Sequence, residues 1–443
     1  MGSSIDNPKA ESILTEFLKE RPNLRFIRLQ WIDYSGVLRA RIITPERCLQ
    51  IARGADICTL SQNCMVIPIS TAPKCWPDGI EEWHLLPDWD SLIVCGFSPS
   101  HASVMCFTSC DNLDNPLARC PRFALCQSLE VFDVLFGEHH ILMGFEIEFV
   151  FLDETYTPLQ SLDQTVGYSM LSGLRGKNLD IIETIMDSLI ASGIDVHHFH
   201  VEAVHQYEIA LSALPPLRAI DSLIMAMETI RTQALRHGVR ATVTPSPVLS
   251  GPMSGIHAHF SINPNPPNSS SFLSGVLARM KSLCAFGLSN CDSYCRIAPD
   301  CAGEWIAWGT GNKDLPIRQV HPGRWEFRFL DATANAYLFT SAIISAGIDG
   351  MKTGLVLEMK DCTVVPSALG SEEVDVKLRD VGVTDRMPKT LQESLEAAKA
   401  DHEIIKWIGR ELHNQYIRVK EKEAEYFLKM TTDERRRKFL DYF

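Results

Sequence analysis

Residues 141–151 read ILMGFEIEFVF and place two glutamates, Glu146 and Glu148, one residue apart in an otherwise apolar run. Successive side chains of a β-strand point to opposite faces, so both carboxylates are expected on one face of a strand. Two buried anions side by side are costly unless a cation neutralises them. A hard divalent metal ion is the simplest candidate for that cation.

The same alternation recurs in three further segments, GIHAHFSI (255–262), GRWEFRFLD (323–331) and HVEAVHQYEIAL (200–211). Their polar positions are His257, His259 and Ser261 in the first, Arg324, Glu326 and Arg328 in the second, and Glu202 and Glu208 in the third. A single segment of this kind is typical of an antiparallel strand with one solvated face. Four such segments favour one shared site. Carboxylates and imidazoles suit Mg²⁺ or Mn²⁺, and guanidiniums suit phosphate or carboxylate, so the combination predicts a metal–nucleotide site.

Five ordered blocks of the chain resemble the signature blocks of the glutamine synthetase superfamily. They are GFEIEF, the Glu202…QYE segment, G-x-H-x-H-x-S, the stretch NCDSYCRIAPD…IAWGTGNKDLPIR, and RWEFRFLDATANAYL. The resemblance begins at LRFIRLQWIDYSGVLRARIIT (24–44) and extends into the last hundred residues, so it covers essentially the whole chain. The chain looks most similar to the fungal glutamine synthetase-like proteins.

The resemblance implies roles for individual residues. One metal ion would be held by Glu148, Glu202 and Glu208, and a second, bound to nucleotide phosphates, by Glu146, His257 and Glu326. His259 and Ser261 would line the ATP pocket. Arg318 and Arg324 would meet ATP phosphates in catalysis, with Lys313 at a position where the family has arginine. Arg296 and Arg328 would hold the carboxylates of the substrate. A structural ion-pair role is the alternative for these carboxylates and arginines.

Several departures from the family pattern concern the acceptor substrate. Pro252 and Met253 replace an Asn-Gly pair that helps to hold glutamate, and proline lacks a backbone N–H. Ala302 stands where the family has the flap glutamate that helps to deprotonate ammonium, and Ser246 replaces a lysine between two prolines. Asp56 is only a weak counterpart of the ammonium-binding aspartate. The link between Glu202 and Glu208 is also one residue shorter than usual.

The leading hypothesis is therefore an ATP- and metal-dependent carboxylate–amine ligase. It would act through an acyl phosphate and join a glutamate-like acid to an organic amine rather than to ammonia. A second hypothesis is a catalytically silent structural or signalling descendant. A third is unrelated chemistry on a carboxylate or acyl substrate without ATP.

Composition limits the partners and the compartment. The chain has 443 residues, 45% of them hydrophobic, and a net charge of −13, which argues against nonspecific nucleic-acid binding. No apolar run reaches the length of a membrane span. The fourteen cysteines are scattered without CxxC pairs, which is typical of reduced thiols in a cytosolic protein.

The pattern of helix and strand signals predicts an α+β protein. The resemblance implies a small N-terminal β-grasp-like domain at 1–112 and a catalytic domain at 113–443 with an antiparallel sheet funnel flanked by helices. Helices are expected at 9–21, 122–138, 177–192, 217–237, 271–287, 336–353 and 389–430. A homo-oligomer with active sites between subunits is implied by the resemblance alone.

Overall fold

Two sheets with flanking helices make up the structure, a computed structural model that describes residues 7–66, 81–111, 113–159, 163 and 165–443. Part of the predicted N-terminal domain, residues 1–6, 67–80 and 112, lies outside the described residues. The first sheet lies in the N-terminal part of the chain and the second follows it. The predicted α+β class is confirmed.

The N-terminal elements are α1 (Asn7–Glu20), β1 (Phe26–Ile32), β2 (Leu38–Ile43), α2 (Pro45–Ala52), β3 (Cys58–Ser61), α3 (Asn63–Val66), β4 (Glu82–Pro87), β5 (Ile93–Val94) and β6 (His101–Cys110). Strands β1 and β2 pair antiparallel and form a hairpin around Tyr34-Ser35-Gly36. Strand order among the described residues is β2-β1-β6-β4-β3, with β1 and β6 parallel and β5 paired to β6. From Leu29 to Ile32 every residue of β1 is buried, so this half of the strand is covered on both faces.

The larger part begins with α4 (Pro121–Phe136), β7 (His140–Leu152), α5 (Lys177–Ala191), β8 (Val196–Ala203), β9 (Gln206–Leu211), α6 (Pro216–Arg236), β10 (Arg240–Thr242) and β11 (Ile256–Asn263). It continues with α7 (Ser269–Ala278), α8 (Met280–Gly287), β12 (Trp308–Thr310), β13 (Ile317–His321), β14 (Arg324–Phe327) and α9 (Ala336–Thr353). The C-terminal helices are α10 (Ser371–Asp380), α11 (Leu391–Ala400), α12 (His402–Ile408), α13 (Arg410–Phe427) and α14 (Thr432–Tyr442).

The large sheet has the order β12-β13-β14-β11-β7-β9-β8, and β10 pairs with β7. It differs from the expected antiparallel sheet at one edge, where β12 and β13 are parallel. On β7 the apolar residues Phe145, Ile147 and Phe149 are buried in the core. The intervening Glu146 and Glu148 therefore point to the opposite face, as the alternation predicts.

Strand register brings the polar residues together. Glu148 is opposite Glu208 of β9, and Glu208 is opposite His200 of β8. Glu146 is opposite His257 of β11. In the next row, His259 is opposite Glu326 of β14, which is in turn opposite Arg318 of β13. Positions far apart in the sequence thus form one polar patch across six neighbouring strands.

Two of the expected helices are divided. The helix expected at 271–287 breaks at Arg279, which lies between α7 and α8. The helix expected at 389–430 is three helices, because Asp401 caps the start of α12 and Gly409, with φ of 93°, ends it. Within the described residues, no helix is both long and apolar enough to cross a membrane.

Candidate metal and nucleotide site

Two adjoining cavities open on the polar patch, with volumes of about 510 and 370 Å³. The larger is lined by His259, Ser261 and Arg324, among others, and the smaller by Lys313, Arg318 and Arg328. Glu146 and His198 line both cavities and therefore lie at their junction. We call the larger one the upper cavity and the smaller one the acidic cavity.

Three of the predicted metal ligands, Glu148, Glu202 and Glu208, each offer an oxygen within 4.8 Å of the others. Glu148 is held in place by the backbone N–H of Gly255, which donates to Oε2 at 2.6 Å. Glu202 Oε2 lies 3.0 Å from Nε2 of His200. The short link between Glu202 and Glu208 therefore does not separate the two carboxylates.

The second predicted ligand set, Glu146, His257 and Glu326, is also brought together. His257 Nδ1 lies 3.4 Å from Glu146 Oε2 and 3.5 Å from Glu326 Oε1. His259 joins the set, because its Nε2 lies 2.9 Å from Glu146 Oε1 and its ligand atoms cluster with those of Glu146 and Glu326. Glu326 is fully buried on β14, an interior strand of the large sheet.

The electrostatics of the cluster are unbalanced. Burial, followed by the negative charges of Glu146 and Glu148, raises the pKa of Glu208 to about 10. Burial would also raise the pKa of Glu146, but hydrogen bonds from His257 and His259 outweigh it and hold that pKa well below its usual range. The region around Glu208 therefore has more carboxylate than cationic charge to neutralise it.

The residues present fit divalent metal ions. Oxygen and imidazole donors suit Mg²⁺ or Mn²⁺, and an added cation would compensate the excess negative charge around Glu208. The buried Nδ1 atoms of His200 and His259 have no hydrogen-bond partner among the described residues. Buried polar atoms are seldom left unpaired, so an additional ligand at these positions is consistent with the site.

Cationic side chains border the carboxylates on one side. Arg318 Nε lies 2.8 Å from Glu326 Oε2, and Arg328 Nη1 donates to Glu326 Oε1 at 2.5 Å. Burial would raise the pKa of Glu326, yet His257 and then the two arginines reverse this and lower it. Lys313 is exposed, with Nζ 5.2 Å from the ring centre of Tyr168.

The structure does not bring Arg296 into either cavity. Its guanidinium is buried and donates to the backbone carbonyls of Leu330 and Arg328 at 2.8 and 2.9 Å. Its Nη2 would lie 2.2 Å from a Cβ at Gly255, so the glycine makes room for it. Arg296 thus supports the loops behind the predicted metal ligands, and its contact with a substrate carboxylate stays a prediction.

The positions that depart from the family pattern have defined surroundings. The carbonyl of Met253, next to Pro252, accepts a hydrogen bond from Gln206 Nε2 at 2.9 Å. Ala302 is fully buried. Asp56 accepts from Arg47 Nε at 2.8 Å in the N-terminal part and lines neither cavity of the polar patch.

Four residues of the acidic cavity were missed by sequence reasoning: Tyr168, His198, His200 and Asp300. His198, His200 and Glu208 form a further cluster that could hold a metal ion. Their alternation in HHFHVEA was a usable signal, since His198, His200 and Glu202 fall on one strand face. Tyr168 and Asp300 lie in loops, where no periodicity could identify them.

Comparison with known proteins identifies the family. The family described as glutamine synthetase, catalytic domain, matches residues 118–439. Protein fluG of Emericella nidulans is 31% identical over 453 residues, covering 98% of this chain, but the chain spans only 50% of fluG. Gamma-glutamylpolyamine synthetase GlnA3 of Streptomyces coelicolor is 29% identical over 269 residues, 55% of this chain and 56% of GlnA3. The solved GmaS/ADP complex shares the fold, with a TM-score of 0.80, 22% identity and coverage of 97% of this chain and 99% of that chain. The chain therefore belongs to the glutamine synthetase family.

Proposed function

We propose that the protein is an ATP- and metal-dependent carboxylate–amine ligase that joins a glutamate-like acid to an organic amine through an acyl phosphate. The observation that carries the proposal is the convergence of six residues in overlapping clusters that could hold metal ions: Glu146, Glu148, Glu202, Glu208, His257 and Glu326. All of them except Glu148 line the acidic cavity. Metal ions held by these residues, Mg²⁺ or Mn²⁺, would neutralise the phosphoryl oxygens during transfer.

The chemistry proceeds in two displacements. A carboxylate oxygen of the acid attacks the γ-phosphorus of ATP, and the bond to the bridging oxygen breaks with its electrons leaving on ADP. The nitrogen lone pair of the amine then attacks the acyl carbon, a C–N bond forms, and phosphate leaves with the C–O electron pair. The amine proton is lost to a base.

Named residues have defined tasks in this scheme. Arg324, Ser261 and His259 line the upper cavity and would bind the nucleotide. Arg318 and Lys313 border the acidic cavity and would stabilise charge on the transferred phosphoryl group. Arg328 would hold the carboxylate of the acid, supported from behind by Arg296.

Three departures favour an amine over ammonia. Ala302 removes a carboxylate from the flap position, and Pro252 and Met253 make the loop beside Glu148 less polar. A larger amine brings its own apolar contacts, which compensate for lost polar ones. One relative, GlnA3, is a gamma-glutamylpolyamine synthetase by name, which is consistent with an organic amine here.

A silent structural protein is the second candidate, and one observation favours it. Glu326 is already neutralised by Arg318 and Arg328, so part of the cluster is stable as an ion-pair network without metal. This candidate predicts metal or nucleotide binding without turnover.

The ligase proposal also includes a homo-oligomer with active sites between subunits. It includes a cytosolic location, which is consistent with the free thiols of the described cysteines.

The acyl phosphate is tested by isotope transfer. Glutamate labelled with ¹⁸O in its carboxylates is incubated with ATP, Mg²⁺ and an alkylamine, and the phosphate released is analysed by mass spectrometry. The proposal predicts one ¹⁸O atom in the phosphate and an amide product of the corresponding mass. Unlabelled phosphate would contradict an acyl phosphate, and ATP binding without any product would favour the silent protein.

A further inference from the structure

One carboxylate of the acidic cavity takes no part in the clusters that could hold a metal ion. The cavity is lined by the acidic residues Glu146, Glu202, Glu208, Asp300 and Glu326. All except Asp300 belong to those clusters within the described residues. Asp300 therefore has access to the cavity while remaining outside the metal ligands.

Asp300 lies in a loop with a fixed conformation. The N–H of Ala302 donates to the carbonyl of Arg296 at 2.8 Å, and the N–H of Gly303 donates to Ala298 at 3.1 Å. Asp300 itself has φ of 61°, a left-handed conformation that few residues other than Gly, Asn and Asp adopt readily. The loop thus places an exposed carboxylate at the cavity wall with a strained backbone.

The surroundings of Asp300 suit proton transfer. A hydrogen bond to the Asp314 side chain, followed by burial and the negative charge of Asp314, raises the pKa of Asp300, and the Arg328 guanidinium opposes this rise. Asp314 is buried and anchored, since its Oδ2 accepts from the N–H of Ser367 at 2.8 Å. A carboxylate with a raised pKa is a stronger base near neutral pH than an ordinary aspartate.

We propose that Asp300 binds the protonated amine nucleophile and accepts its proton before attack on the acyl phosphate. This inference rests on the proposed ligase function and names its base. The N–H bond of the ammonium group breaks and the proton passes to an Asp300 oxygen. The freed lone pair forms the C–N bond as phosphate leaves with the C–O electron pair, and the second proton of the nitrogen passes to the departing phosphate. Asp300 then releases its own proton to water. The substrate class is a primary alkylamine that is cationic at neutral pH.

The test compares two nucleophiles in the full-length protein. Asp300→Asn keeps the size of the side chain and its tolerance of the left-handed conformation, and Asp300→Gly removes the backbone strain. Glu304→Gln is the matched control, because Glu304 lies in the same loop but does not line the acidic cavity. Thermal unfolding of each variant establishes that it is folded. Each variant is then assayed for ATP-dependent amide formation with an alkylamine and with hydroxylamine, which is uncharged at neutral pH.

With the alkylamine, both Asp300 variants should lose about 100-fold or more in kcat/KM. With hydroxylamine, which needs no prior deprotonation, the Asp300 variants should lose less than about tenfold in kcat/KM. The control Glu304→Gln should have the kcat/KM of the parent with both nucleophiles. Equal losses with both nucleophiles, or no loss with the alkylamine, would overturn the role of Asp300 while leaving the ligase proposal intact. No turnover by the parent protein with either nucleophile would overturn both proposals.

Discussion

Glu148 and Glu208 face each other across the paired strands β7 and β9, and both are about 5–6% exposed. Like charges directly opposite each other in a sheet are destabilising. Burial, followed by the negative charges of Glu146 and Glu148, raises the pKa of Glu208. A cation between the two strands would turn this repulsion into a binding site, so stability and metal binding should be coupled.

The first prediction concerns the pH dependence of stability of the metal-free protein. The pKa of Glu208 is about 10 in the folded protein, against an ordinary value of 4.5. Folding therefore takes up a proton between these values, and stability should fall as the pH rises from about 4.5 towards 10. Because Glu208→Gln removes that proton uptake, it should raise the free energy of unfolding at about pH 8 by roughly a few kcal/mol.

The prediction is checked by denaturant unfolding in the presence of a chelator. The free energy of unfolding is measured at intervals from about pH 5 to about pH 9. The slope of stability against pH should be smaller in Glu208→Gln than in the parent. Identical slopes would show that Glu208 does not titrate as the structure indicates.

The second prediction concerns stabilisation by metal. Saturating Mg²⁺ or Mn²⁺ at about 100 times its dissociation constant should stabilise the parent by about 2.7 kcal/mol. Glu148→Gln keeps the shape of the side chain but removes a charge from the centre of the patch, so most of this gain should disappear. Glu183→Gln, on the exposed side of α5, is the control and should keep it. Equal metal-induced shifts of the melting temperature in all three proteins would argue against a metal site at Glu148.

The third prediction separates the two arginines that contact Glu326. Arg328 is buried, whereas the side chain of Arg318 is 18% exposed. Removing one partner of a buried ion pair leaves an uncompensated charge, which costs about 3–5 kcal/mol. Arg328→Gln should approach that loss in denaturant unfolding, and Arg318→Gln should lose less because water reaches the vacated position. If the Arg318 variant is the less stable of the two, the burial argument is wrong.

The fourth prediction concerns a buried network outside the proposed site. The Arg122 guanidinium donates to Asp221 and to Asp88 at 2.6 Å, and it contacts Tyr337 Oη at 2.8 Å. It thereby ties the loop after β4 to helices α4, α6 and α9. Arg122→Leu should destabilise the protein by about 3–5 kcal/mol.

The double variant Arg122→Leu/Asp221→Leu should recover part of this loss, because no buried carboxylate at 221 remains unpaired. A double variant less stable than Arg122→Leu alone would show that the hydrogen bond from Tyr337 Oη to Asp221, 2.6 Å long, outweighs the cost of the uncompensated carboxylate. Metal-induced stabilisation should be unchanged in every variant that remains folded.

Much of the site was predictable because it depends on alternation. Glu146 and Glu148, or His257 and His259, must share a face wherever a strand forms, so the local sequence fixes their direction. The partner of each strand is a long-range property, however. His200 joins the cluster only because the register of β8 on β9 places it opposite Glu208.

Helix periodicity was a weaker guide to boundaries than local capping residues. The apolar repeat continues across 389–430, yet Asp401 accepts a hydrogen bond from the N–H of Ile404 and begins a new helix. Gly409, whose φ of 93° is favourable only for glycine, then ends it. Loop residues such as Asp300 were not predictable, since their position depends on backbone hydrogen bonds to Arg296 and Ala298 and not on any repeat.

The central claim is tested most directly by ADP release from Mg²⁺-ATP and glutamate across a panel of ammonium, alkylamines, polyamines and amino acids. Glu148→Ala serves as the blank because it lacks one of the proposed metal ligands. We predict turnover that requires an organic amine, exceeds the rate with ammonium, and disappears in the variant. ADP release stimulated far better by ammonium than by any organic amine, or no release with any nucleophile, would contradict this account.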